Sequence, residues 1–213
     1  ENVAKLTPFV PLTITSDDDG SEIPTISVNP ELREVTTVFV NLNSYDKDLN
    51  ADPITLQPFF LLCQEALLEV DGFLRQFLVD DKGCVLIAMW GVPSFTYPNN
   101  GSRAVYFARK LKNTTNAANM KVSIGITTGN VYCGTIGSII RRDYVAIGHT
   151  VNMSARLMGK AKGRILVDTT TYQLLPIASR DELTQGEELQ LKGTVGVTRP
   201  WVAEYVGMDL AVG

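Results

Sequence analysis

Asn152 and Arg156 lie four residues apart in the segment HTVNMSARLM. Val151, Ala155 and Met158 recur there at spacings of four and three, which predicts a helix with those three on one face. Asn152 and Arg156 then stack one turn apart on a neighbouring face. A guanidinium presents a planar fork of donors, and with an amide beside it and a glycine-rich stretch just upstream, the set suits a polyanion such as phosphate. The same spacing equally describes an arginine lying along its own helix beside a solvated asparagine.

Other reactive side chains offer less. His149 is the only histidine and directly precedes this helix, which reads as a cap-region residue and not a general base. Cys63, Cys84 and Cys133 sit inside apolar runs with no C-x-x-C spacing. One histidine and no cysteine pair cannot build the usual zinc sphere, and the pattern fits reduced, buried thiols of a cytosolic protein. Asp80 and Asp81 occur in a DDKG turn, where turn chemistry alone selects aspartate.

The elements that must position these groups follow from periodicity. Val122, Ile124 and Ile126 alternate as in a strand, and Thr128-Gly129-Asn130 reads as a turn leading to a second strand through Val131, Cys133 and Thr135, hence a hairpin. Gly134, Gly137 and Arg141-Arg142 then lead to an apolar segment ending at Gly148. Upstream, residues 1–33 are rich in Pro, Thr, Ser and Asp and read as an irregular lead-in. Residues 34–42 read as a central strand buried on both faces. Asp52-Pro53 opens a helix with Phe59, Leu62, Cys63, Ala66, Leu67 and Val70 on one stripe, ended by Gly72. Residues 73–79 and 84–90 form a hairpin across Asp80-Asp81-Lys82-Gly83. Residues 100–118 form a second helix, Ala104, Phe107, Ala108 and Leu111 inward, Arg103, Arg109, Lys110 and Lys112 on a solvated face. A short strand at 164–168, a threonine-capped helix at 169–175, an alternating strand at 187–191 running into Lys192-Gly193 and a last strand at 201–206 complete the reading. The order is β-α-β-β-α-β with appended elements: an α+β, ferredoxin-like core, its antiparallel sheet carrying helices packed on one face.

At 213 residues, with 45% apolar and 20% charged residues, the chain suits one domain with a substantial core. The expected bounds are 34–207, with a tail at 208–213. A net charge of −4 speaks against a nucleic-acid partner. No apolar run approaches the roughly 20 residues of a membrane span. The first residue is Glu1, not Met, so a piece of a longer protein is expected.

The string IGITTG-x-V-x-x-G-x-IG from Ile124, then Y-x-x-IG from Tyr144 and V-N-x-x-A-R-L from Val151, resembles the class III nucleotidyl cyclases, the adenylyl and guanylyl cyclase catalytic domains. The resemblance implies the same ferredoxin-like fold. It also implies a reaction in which the ribose 3′-oxygen of ATP or GTP attacks the α-phosphate, pyrophosphate leaves and a cyclic monophosphate forms. In the family two carboxylates hold paired Mg²⁺ (or Mn²⁺) ions; the matching positions here are Asn41 and Cys84. FVNL, DKGC and Gly91-Val92-Pro93 resemble the second catalytic half of soluble, bicarbonate-responsive adenylyl cyclases. By that resemblance Arg156 stabilises the transition state, Asn152 orients the ribose and Lys192 holds the triphosphate. Val145, Ala146, Gln76 and Asp81 are the candidate substrate-contacting positions, with valine where adenylyl cyclases carry a hydrogen-bonding residue for the base. The metals would belong to a partner domain across a pseudo-twofold interface, and this chain alone would be inactive. The expectation is thus the metal-lacking half of a cytoplasmic adenylyl cyclase pair; the alternative is a silent pseudocyclase serving regulation or dimerisation.

Overall fold

The computed structural model describes residues 30–45, 53–80, 83–137, 142–194 and 196–203. Strand β1 (Glu31–Leu42) lies mid-sheet, paired antiparallel with β3 (Gly83–Trp90) on one edge and β4 (Val122–Gly137) on the other. Its β-branched middle, Val35 to Val38, is buried throughout. Register assigns the two faces. Val38, Val40 and Leu42 stand opposite Ala88, Leu86 and Cys84 on one side and Ile126, Ile124 and Val122 on the other. This row packs under α1 (Gln57–Leu68) and α2 (Asn100–Ala117) in the main core. The alternating row, Thr37, Phe39 and Asn41, looks the opposite way.

With β2 (Phe73–Asp80) beyond β3, the strand order β2-β3-β1-β4 and the sequence β1-α1-β2-β3-α2-β4 form the expected ferredoxin-like core, its two helices on one face. The sheet then continues through β6 (Ile165–Val167), parallel to β4, then β8 (Trp201–Ala203) and β7 (Leu183–Gln185). β5 (Arg142–Ile147) pairs with the far half of β4. A third long helix, α3 (His149–Lys160), covers the other face of β4, and α4 (Thr169–Leu174) and α5 (Ile177–Arg180) are short connectors. Among the described residues no helix is long and apolar enough to cross a membrane.

Several local expectations are corrected. Thr128-Gly129-Asn130 is no turn: β4 runs through it unbroken, with Thr36, Val35 and Glu34 of β1 opposite. The glycine answers a close approach instead, since a Cβ there would lie 2.7 Å from Oγ1 of Thr150. The hairpin is formed by β4 and β5, and its turn, 138–141, is outside the described residues. Residues 187–191 contribute only the isolated bridge between Leu189 and Thr198. Asp168, and not a threonine, caps α4, its carboxylate accepting from the Thr171 N–H at 2.9 Å. The basic side of α2 is not simply solvated. Arg109 is buried and paired with Glu182, Lys110 pairs with Glu69, and Lys112 donates to the Gly163 carbonyl. Arg103 donates to Val70 O and Asp71 and lies over the Tyr97 ring. The lead-in expected over residues 1–33 is corrected at its end, since Glu31, Leu32 and Arg33 already belong to β1, opposite Cys133, Tyr132 and Val131; residues 1–29 and 204–213, with the rest of that lead-in and the expected tail, lie outside the described residues.

The inward face of α3 is also rotated from expectation. Ser154 and Leu157 are its buried residues. The Ser154 hydroxyl lies 2.7 Å from the carbonyl of Gly125 and 3.0 Å from that of Thr37, sharing one proton between two strand carbonyls. Gly125 makes this possible, because a Cβ on it would fall 2.2 Å from Ser154 O and 2.5 Å from Met158 N. Helix backbone therefore rests directly on strand backbone. Gly125→Ala must lift α3 off the sheet, and we expect a loss of about 2 kcal/mol or more, as for overpacked cores, measured by urea unfolding; an unchanged midpoint would contradict this packing.

Candidate functional site

α3 starts straight after β5, at Gly148, whose absent side chain leaves room for Val131: a Cβ would lie 2.9 Å from Val131 Cγ1. With its first turn held there and its middle clamped by Ser154, the helix presents Asn152, exposed, and Arg156, half-buried, one turn apart. The guanidinium leads to a second element. Leu191 is 2% exposed, buried with Leu157, Ala161, Leu166 and Val202, so the turn after it is tied to α3. Thr194 closes that turn, its N–H and hydroxyl both donating to Leu191 O, the hydroxyl at 2.8 Å. At its tip Gly193 has φ +73°, and a Cβ on it would lie 3.2 Å from Nη2 of Arg156. Lys192, exposed, is the adjacent residue.

The structure thus brings Arg156 and the Lys192-Gly193 turn together, with Asn152 on the same side of α3. Among the described residues neither Arg156 nor Lys192 pairs with a carboxylate. Two cationic heads without an internal counter-ion, one of them a planar fork of donors, can take an external anion with several oxygens.

The positions expected to read the base do not converge in the same way. Gln76 lies on β2 just past a bulge at Arg75, exposed and opposite Ile87, hence on the face that carries α3. Val145 stands opposite Gly134 on β5, and by register its side chain belongs to the other face. Ala146 shares α3's face but is packed in the cluster with Tyr144 and Cys133. Asp81 lies outside the described residues.

The two positions where the family carries metal ligands are split by the sheet. Cys84, opposite Leu42, is fully buried in the α1/α2 core, and burial pushes its thiol up to about 12. Cys63, in the same core, is pushed well up as well, by burial and then by Cys84. Asn41 is on α3's face, its Oδ1 buried without a hydrogen-bond partner and 3.2 Å from where a Gly83 Cβ would be. A protonated thiol and a neutral amide on opposite faces do not fit a hard divalent cation. Among the described residues no three His, Cys, Asp or Glu side chains cluster.

Comparison with known proteins identifies the family. Residues 100–204 match the family described as the adenylate and guanylate cyclase catalytic domain. Adenylate cyclase type 10 of Homo sapiens is 33% identical over 146 residues, 67% of this chain and 9% of that protein. The chain therefore spans about a tenth of the length of that relative. Among solved structures, the adenylyl cyclase CyaB from P. aeruginosa superposes with a TM-score of 0.71 at 19% identity, covering 85% of this chain and 99% of that one. The chain belongs to the class III nucleotidyl cyclase family. The guanylate cyclase domain of RhGC from Catenaria anguillulae, solved with GTP, shares the cyclase fold at a TM-score of 0.67 and 20% identity, covering 81% of this chain and 97% of that one.

Within this cyclase fold, sequence reasoning missed Ser154 and Gly125, which hold α3 down. A glycine between Ile124 and Ile126 inside a strand was the available signal, since it marks close backbone approach.

Two outcomes follow from the split positions. Cys84→Asp places a carboxylate in the apolar core, so we expect a loss of about 3 kcal/mol or more and no Mn²⁺ binding by calorimetry; tight Mn²⁺ binding would contradict the placement. The native thiol ionises near 12 and an exposed one near its ordinary value of 9.0. The folded value is the higher, so the stabilisation is complete below the unfolded value and lost as pH rises through that window. Urea unfolding should therefore show a shallower decline between about pH 9 and pH 11 in Cys84→Ala than in the native chain.

Proposed function

We propose that this cyclase domain is the metal-lacking half of an adenylyl cyclase catalytic pair, converting ATP to cyclic AMP and pyrophosphate together with a metal-bearing partner domain. The observation that carries the reading is the Arg156 guanidinium set against the Lys192-Gly193 turn with no carboxylate neighbour among the described residues. In this role Arg156 places its donors where charge develops on the phosphoryl oxygens during attack by the ribose 3′-oxygen. Lys192 holds the outer phosphates as a point charge, and Asn152, one turn before Arg156, orients the ribose. ATP as substrate is supported by the similarity to adenylate cyclase type 10.

The divalent cations of the reaction fall to the partner's carboxylates, since Asn41 and Cys84 do not fit them. A partner also suits the surface beside the site. α3 covers the β4 side of its face, while Phe39, Leu78 and Val85 on neighbouring strands are only half-buried and form an apolar floor. The free buried thiols suit a reducing, cytoplasmic setting.

Val145 favours a second reading, a silent domain that regulates or dimerises, because its side chain cannot hydrogen-bond a purine and belongs to the other face. Mixing decides between them. Combined with a metal-competent cyclase domain, the native chain should yield cyclic AMP, and Arg156→Ala should lower the rate by about 10² or more, the usual cost of one transition-state donor. Equal rates with and without Arg156 would leave the silent domain as the answer.

A further inference from the structure

The Arg156 guanidinium is held by two walls and, among the described residues, by no salt bridge. Met153, three residues earlier on α3, brings its thioether Sδ to 3.8 Å from Nη1. Gly193 is the second wall: a Cβ there would stand 3.2 Å from Nη2, 3.4 Å from Nη1 and 3.6 Å from Cζ, close enough to press the fork aside at Nη2. The turn beneath cannot retreat, because Leu191 is locked in the core and Thr194 ties back to its carbonyl.

We infer that Gly193 is a positioning residue for Arg156. It leaves the slot in which the guanidinium lies, fixing the fork by van der Waals contact while its donors remain available to phosphate oxygens, next to Lys192. A carboxylate orienting such an arginine would also neutralise it; a bare backbone orients without lowering the charge. The inference rests on the reading of Arg156 as the charge-stabilising group.

Gly193→Ala and Gly193→Asn separate contact from backbone strain, since asparagine tolerates positive φ yet carries a Cβ. In the reconstituted pair both should lower kcat about 10-fold or more, as a misplaced catalytic group does. KM for ATP should stay within about threefold, and neither change should cost more once Arg156 is alanine. Recovery by asparagine, or equal losses with and without Arg156, would overturn the inference. A second arm needs no turnover. In the ¹⁵N-labelled chain alone, inorganic tripolyphosphate should shift the Arg156 Nε–Hε resonance saturably, and Gly193→Ala should move the free resonance and weaken binding about 10-fold. An unmoved resonance with unchanged affinity would overturn it. Should the native pair be inactive while this arm behaves as expected, the reaction assigned above fails and the positioning stands.

Discussion

The arrangement depends on one close approach, helix backbone against strand backbone where α3 crosses β4 at Gly125. The missing side chain removes the usual spacer between helix and sheet, and the Ser154 hydroxyl occupies the gap between two strand carbonyls. A hydrogen bond from a fully buried hydroxyl to backbone is expensive to leave unmade, so helix height and rotation are both set there. Two residues on from Ser154, Arg156 inherits that setting. Leu191, packed against Leu157 and Ala161 of the same helix, brings the Lys192-Gly193 turn into register with it. A contact with no chemistry of its own thus fixes the relation between the two cations.

The same sheet explains why Asn41 and Cys84, the positions expected to match the family's metal ligands, do not converge. In a two-sided sheet, consecutive residues face opposite ways, and Cys84 falls on the face that packs under α1. There it continues an apolar cluster with Leu42 and Cys63, where an ionised group would be uncompensated. Asn41, on the other face, has no second ligand among the described residues. Cationic side chains gather without carboxylates around α3: residues 144–167 contain Arg156, Lys160, Lys162 and Arg164 and no Asp or Glu. Such a segment favours an arriving polyanion over an arriving cation.

The main elements were legible because their patterns are strong. Of the stripe expected along α1, Phe59, Cys63, Ala66, Leu67 and Val70 are buried and Leu62 is partly buried against the same core, and β1 is buried on both faces. What failed did so for physical reasons. Glycine has two meanings, freedom of φ and absence of Cβ, and periodicity cannot separate them, so Gly129 looked like a turn when it serves a helix contact. The inward face of α3 was misjudged because its key residue, Ser154, is polar and satisfied by backbone. Arg109 was assigned to solvent because its partner, Glu182, lies far along the chain. At the site, helical spacing placed Asn152 and Arg156 on one side, whereas Lys192 became visible only through family resemblance, and the approach of its neighbour Gly193 to Arg156 only through tertiary packing.

In the pair proposed above, this polypeptide supplies the phosphate-facing cations and its partner supplies the metals. The most direct test is a crystal structure of the chain with a metal-bearing cyclase domain, a non-cyclisable ATP analogue and Mn²⁺. Mn²⁺ should lie on the partner's carboxylates alone, with Arg156 and Lys192 on phosphate oxygens across the interface. Mn²⁺ bound at Asn41 or Cys84, or an Arg156 guanidinium turned away from the nucleotide, would contradict it.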